Sequence, residues 1–132
     1  MITADQILCH LIGDYLLQSH AMAISKRVVS MACLAHVLAY AIPFLWLTPS
    51  WKAYLAIIAS HFLIDRFGIA RYVVYFKNSF LGNPTGWIVD DWDLCKLTGY
   101  GPDVPPWLAV WLMIIADNTL HLACNGLALK FL

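Results

Sequence analysis

The stretch VVSMACLAHVLAYAIPFLWL, residues 28–47, decides the fold: it is twenty residues long and carries no formal charge. As an α-helix it would rise ~30 Å, the thickness of a bilayer's hydrocarbon core. Pro43 is expected to kink it near its end, because proline lacks a backbone donor and clashes with the preceding turn. Trp46 and Trp51 bracket Thr48-Pro49-Ser50, the pattern of a turn at a membrane–water interface.

The flanking sequence reads in the same way. Thr3-Ala4-Asp5-Gln6 has the form of a capping box and opens a helix expected over residues 3–18. Downstream, a helix is expected over 51–77. Its end, marked by Arg66, Arg71 and Lys77, is expected to lie in the membrane interface. A fourth helix over 107–130 follows Pro105-Pro106. Residues 78–106 are rich in turn signals, among them Gly82-Asn83-Pro84 and Gly101-Pro102-Asp103. A connection of that length suggests a lid or binding loop, with Trp87 and Trp92 as surface anchors. The expected fold is therefore all-α. It is a single transmembrane domain over residues 1–132, an integral membrane four-helix bundle with an interfacial helical extension and a long loop between helices 3 and 4.

Composition agrees. Hydrophobic residues make up 61% of the 132-residue chain, charged residues 12%, and mean hydropathy is +0.71. Soluble domains carry about twice that charged fraction. Net charge is zero, with no basic stripe, so nucleic acid is not an expected partner; membrane lipid is. No basic residue precedes Lys26, so insertion through the chain's own helices is expected rather than through a cleaved leader. Lys26, Arg27, Arg66, Arg71, Lys77 and Lys96 fall in the first and third connections, against Lys52 and Lys130 on the other side. The positive-inside rule then places the long loops in the cytoplasm of a bacterial inner membrane, multi-pass, provided helix 1 spans.

The chemistry lies inside the apolar segments. His10 and Asp14 are four residues apart, as are His61 and Asp65; Asp117 and His121 repeat the spacing in reverse. Residues four apart share a helix face, so each pair aims an imidazole and a carboxylate in one direction. His36 adds a fourth helix to the set. All eight acidic residues are Asp, so carboxylate chemistry falls to Asp alone. A charged Asp at the bilayer centre costs roughly 2.5–3.5 kcal/mol even on lenient scales and needs a compensating partner. A divalent metal serves several Asp and His at once, and helix bundles build such sites from inward-facing side chains. The expected ligands are His10, Asp14, His36, His61, Asp65, Asp117 and His121, with Asp14, Asp65 and Asp117 sharing the catalytic general-base role. One or two ions would fit, zinc first by its nitrogen-rich ligands, iron or manganese otherwise.

A protein-only polar network is the competing reading, since intramembrane His often serves as interhelical hydrogen-bonding glue. His20 is expected at the interface. Gln18 could support the first pair from outside the ligand set, and Arg66 could reach Asp65. Tyr40, Asn118 and Asn125 are expected to pack or hydrogen-bond. Cys9, Cys33, Cys95 and Cys124 show no CxxC spacing, and those in helices read as small apolar filler. Asp90, Asp91 and Asp93 read as a solvated loop cluster.

The strings HLIGDYLLQ (10–18), HFLIDRFGIARY (61–72), GYGPDVPPWLAVW (99–111) and IADNTLH (115–121) resemble a family of small bacterial and phage membrane proteins, a domain of unknown function. In residue type the chain is also similar, more loosely, to the inner-membrane metal-dependent hydrolases. The first resemblance implies the architecture and the second a metal-dependent hydrolase acting on a lipid or amphiphile. Two other functions use the same residues. One is an ion- or proton-coupled transporter or channel subunit, which would need a homo-oligomer to enclose a pore. The other is a non-catalytic membrane assembly or interaction protein.

Overall fold

The computed structural model describes residues 2–81 and 91–132, and every element among them is helical. The chain divides into two compact units, Met1–Phe67 with Leu120–Leu132, and Gly68–Thr119.

In the first unit, α1 spans Ala4–Leu11 and is capped by Thr3, whose side chain accepts a hydrogen bond from the Gln6 backbone N–H. The helix then widens into a π-helical turn, Ile12–Leu16, and stops at Leu17. This differs from the continuous helix expected over 3–18. Thirteen residues of helix, eight in α1 and five in the π turn, rise only ~20 Å, short of a bilayer core. The widening coincides with Gly13. A Cβ there would lie 2.6 Å from the Tyr40 ring and 2.8 Å from the Tyr40 carbonyl oxygen. Backbone therefore meets backbone at this point, and only glycine leaves the room. Ser19 restarts the chain as α2, His20–Ser25, by accepting from the Met22 N–H. The first connection is thus partly helical, and His20 is an exposed residue at its start.

Helix α3 spans Ser30–Ala41 and tightens into a 3-10 helix, Ile42–Leu47, at the position where Pro43 was expected to kink it. Thr48, at φ +45°, ends the run in the left-handed region. Ser50 Oγ accepts from the Ala53 N–H and donates to the Leu132 carbonyl, tying the start of α4 (Trp51–Phe67) to the chain's last residue. Gly68, at φ +59°, ends α4, the usual use of glycine just past a helix C-terminus. The helix expected over 51–77 is therefore two elements.

In the second unit, α5 spans Ile69–Leu81 and α6 spans Trp92–Cys95. Asp91 caps α6 by accepting from the Asp93 N–H, so this part of the acidic cluster has a structural task. Trp92 stacks on Tyr72 at 4.7 Å, and Arg71 donates to the Lys96 carbonyl. The segment after α6 lies so close to α5 that a Cβ at Gly99, φ +81°, would fall on the Arg71 carbonyl oxygen. Part of the expected lid is thus a docked turn. Asp90, Trp87 and Gly82-Asn83-Pro84 lie outside the described residues. Helix α7, Pro106–Phe131, begins with proline in its first turn, where the missing N–H costs nothing.

Two helical stretches, Ser30–Leu47 and Pro106–Phe131, are long and apolar enough to cross a membrane. The distribution of side chains is inverted relative to a water-soluble protein. His10, His36, His61, His121, Gln6 and Asn125 are buried, while Met31, Trp46, Trp51 and Trp111 are more than 60% exposed. Large apolar surface of this extent signals a membrane or a partner.

Candidate metal centre

Four helical segments of the first unit each bring an i, i+4 pair to one interior point: His10/Asp14 from α1 and its π turn, His36/Tyr40 from α3, His61/Asp65 from α4 and His121/Asn125 from the end of α7. The shared-face geometry of a helix explains each pair. Tight closure behind them is apolar, from Phe44, Ile57, Cys9 and Ala128.

At the centre, Asp14, His36, His61 and Asp65 each offer one atom, and the four atoms lie within 4.8 Å of one another. His36 Nε2 and His61 Nε2 are 3.0 Å apart. Asp14 Oδ1 is 3.3 Å from the first and 3.7 Å from the second. Asp65 Oδ2 is 3.0 and 3.2 Å from the same two nitrogens. A tetrahedral ion with bonds of ~2.0–2.1 Å has ligand–ligand edges of ~3.3–3.4 Å. The five separations, 3.0 to 3.7 Å, bracket that edge. Asp14 Oδ1 and Asp65 Oδ2 are themselves buried; their close polar neighbours are the tetrad imidazoles and, at Asp65 Oδ2, the Lys26 ammonium at 2.9 Å. A buried cluster of this composition could hold a divalent metal.

The second oxygen of each carboxylate faces a further imidazole. His10 Nε2 lies 3.9 Å from Asp14 Oδ2, and His121 Nε2 lies 3.5 Å from Asp65 Oδ1. His10 thus stands behind the tetrad rather than in it. Its ring state follows from its neighbours. Asn125 Nδ2 donates to the Tyr40 hydroxyl at 2.6 Å, which leaves the hydroxyl hydrogen for His10 Nδ1 at 2.9 Å. His10 then carries its proton on Nε2, the nitrogen that lies 3.9 Å from Asp14 Oδ2, an electrostatic approach longer than a hydrogen bond. His61 is held by ring stacking against Tyr40 at 3.6 Å and His121 at 4.0 Å.

Several expectations change. Arg66 does not pair with Asp65; it donates to Ser30 Oγ and to the Arg27 carbonyl. Lys26, read from sequence as a loop cation, takes Asp65 instead, with Nζ 2.9 Å from Oδ2. Gln18 donates to the Asp14 backbone carbonyl rather than to its carboxylate. Gln6, which sequence offered only as part of a cap, is buried and donates to the Leu122 carbonyl, fastening α1 to the end of α7. Cys33 is buried with Sγ toward the Phe62 carbonyl, and neither it nor Cys124 belongs to a candidate ligand group among the described residues. Asp117 is half-buried on α7, in the second unit.

Comparison with protein families matches residues 2–82 to the family described as "Protein of unknown function (DUF3307)", and the chain belongs to that family. No curated protein and no solved structure matches.

Proposed function

We propose that this member of the DUF3307 family is a membrane-embedded protein that binds a divalent cation and uses it to hydrolyse a lipid or another amphiphile. One observation carries the reading: two imidazole nitrogens and two carboxylate oxygens from three helical segments converge within 4.8 Å in a buried site. Zinc suits two nitrogens with two oxygens, and iron or manganese would suit it if further oxygen ligands join. A bound cation would acidify a water and supply hydroxide near neutral pH. His36 and His61 would hold the ion from the nitrogen side, Asp14 and Asp65 from the oxygen side. His10 and His121, behind the outer oxygens, would keep both carboxylates aimed. Hydrolysis requires one position beyond these four, through a fifth ligand place or release of one carboxylate. The exposed apolar side chains and the two long apolar helices support a bilayer setting.

The test is elemental mass spectrometry of detergent-purified protein, prepared without chelator, beside His61→Ala and Asp65→Ala. The wild type should carry about one equivalent of metal and the variants none. A wild type without metal after attempted reconstitution would overturn the reading. A second reading draws on the string Lys26, Asp65, His36, Asp14 and His10, whose successive separations run from 2.9 to 3.9 Å. Proton relays in membranes use such strings. Ion flux in proteoliposomes that Asp14→Asn abolishes, from metal-free protein, would favour it.

A further inference from the structure

The Lys26 ammonium lies 2.9 Å from Asp65 Oδ2, the oxygen that also faces the two tetrad imidazoles. Its side chain is 17% exposed and that of Asp65 2%, so Lys26 reaches from the accessible edge of the unit to a tetrad ligand. Arg66, the next residue to Asp65, is engaged by Ser30 and the Arg27 carbonyl. Among the described residues Lys26 is therefore the cation placed on the tetrad.

A divalent ion bonded to Asp65 Oδ2 at ~2.1 Å would lie at most about 5 Å from an ammonium held 2.9 Å from the same oxygen. Two cations at that distance away from bulk water repel strongly. The ion and the Lys26–Asp65 pair thus compete for one oxygen.

We propose that Lys26 is a displaceable counter-ion: a divalent cation entering the tetrad moves the ammonium off Asp65, and the released ammonium then binds a phosphate group presented at the ion. This rests on the metal-binding reading above and names the chemical class of its substrate. A phosphate carries several oxygens on one centre, so one can approach the ion while another accepts from Nζ. Lysine is a common point-charge partner of phosphate. A phospholipid headgroup and free phosphate share this chemistry.

The experiment uses the full chain in detergent. Zinc affinity is measured by competition with a chromogenic chelator for wild type, Lys26→Met, Lys26→Gln and Lys26→Arg. The two neutral variants should bind zinc at least about tenfold more tightly, and Lys26→Arg about as the wild type does, because only the first two remove the competing charge. Zinc-loaded protein is then titrated with inorganic phosphate, and separately with mixed micelles containing phosphatidic acid or phosphatidylcholine. The wild type should bind phosphate, phosphatidic acid, or both, at least about tenfold more tightly than Lys26→Met. Binding of phosphatidic acid alone identifies a lipid headgroup; binding of both shows that the phosphate suffices. Unchanged or weaker zinc binding in both neutral variants would overturn the displacement. Equal binding of both phosphate and phosphatidic acid by wild type and Lys26→Met, or binding of neither by the wild type, would overturn the anion site. A wild type that takes up no zinc would instead overturn the metal reading itself.

Discussion

Replacing Tyr40 by Phe removes one oxygen from a fully buried position and leaves the ring in place. That oxygen accepts from Asn125 Nδ2 at 2.6 Å and donates to His10 Nδ1 at 2.9 Å. Each buried hydrogen bond contributes about 1 kcal/mol net, and a buried donor left without that acceptor costs about 1–3 kcal/mol. Tyr40→Phe should therefore lower stability by about 2–4 kcal/mol, although the stacking of ring 40 on His61 at 3.6 Å survives. The tetrad atoms remain, so the metal stoichiometry should not change. His10 Nε2 stands 3.9 Å from Asp14 Oδ2, beyond hydrogen-bond reach, so zinc affinity should fall by less than the ~10-fold that loss of a hydrogen-bonded support costs. Equilibrium unfolding in detergent micelles reads the first quantity, and zinc competition against a chelator the second. Stability within about 0.5 kcal/mol of wild type, the range of an inconsequential substitution, would refute the hydrogen bonds of the Tyr40 hydroxyl to Asn125 and His10.

Gly13→Ala should destabilise the first unit by about 1–3 kcal/mol, the usual effect of overpacking, because its new Cβ meets the Tyr40 carbonyl at 2.8 Å; detergent unfolding curves check this, and wild-type stability would contradict the close contact. Gly99→Ala should loosen the second unit, since residue 99 sits at φ +81° against the Arg71 carbonyl; limited proteolysis should then cut faster near residues 91–105 than in the wild type. Chelator treatment should lower the unfolding midpoint of metal-loaded wild type and leave that of Asp65→Ala unmoved. Equal shifts in the two would place the ion elsewhere.

Helix spacing made the site legible from sequence. His10/Asp14 and His61/Asp65 needed nothing but the 3.6-residue period to share a face, and the structure brings members of both pairs to one point. The same period says nothing about which oxygen or nitrogen meets which. The tautomer of His10 depends on Tyr40 and Asn125, 30 and 115 positions away, and its distance from Asp14 on where α1 packs. Lys26 was illegible for a similar reason: a long flexible side chain next to an exposed residue can turn to water or inward, and only the position of α4 decides. The helix breaks had partial signals. Gly68 is a glycine followed by no proline, an ambiguous stop, and the π turn coincides with a close approach of Gly13 to Tyr40 that no local pattern announces. Thr48, by contrast, ends the span where Thr-Pro-Ser suggested a turn.

Tyr40 touches Gly13 through its backbone, His61 through its ring face, and His10 and Asn125 through its hydroxyl. Substitutions at these five positions should consequently be non-additive, each altering the effect of the others. Over evolutionary time such coupling leaves a trace: a lineage that replaces Tyr40 should alter positions 10 and 125 with it, and one that enlarges residue 13 should reshape the start of the turn that holds Asp14. Relatives in the family can therefore be sorted by whether these positions change as a set, independently of any assay of what the site does.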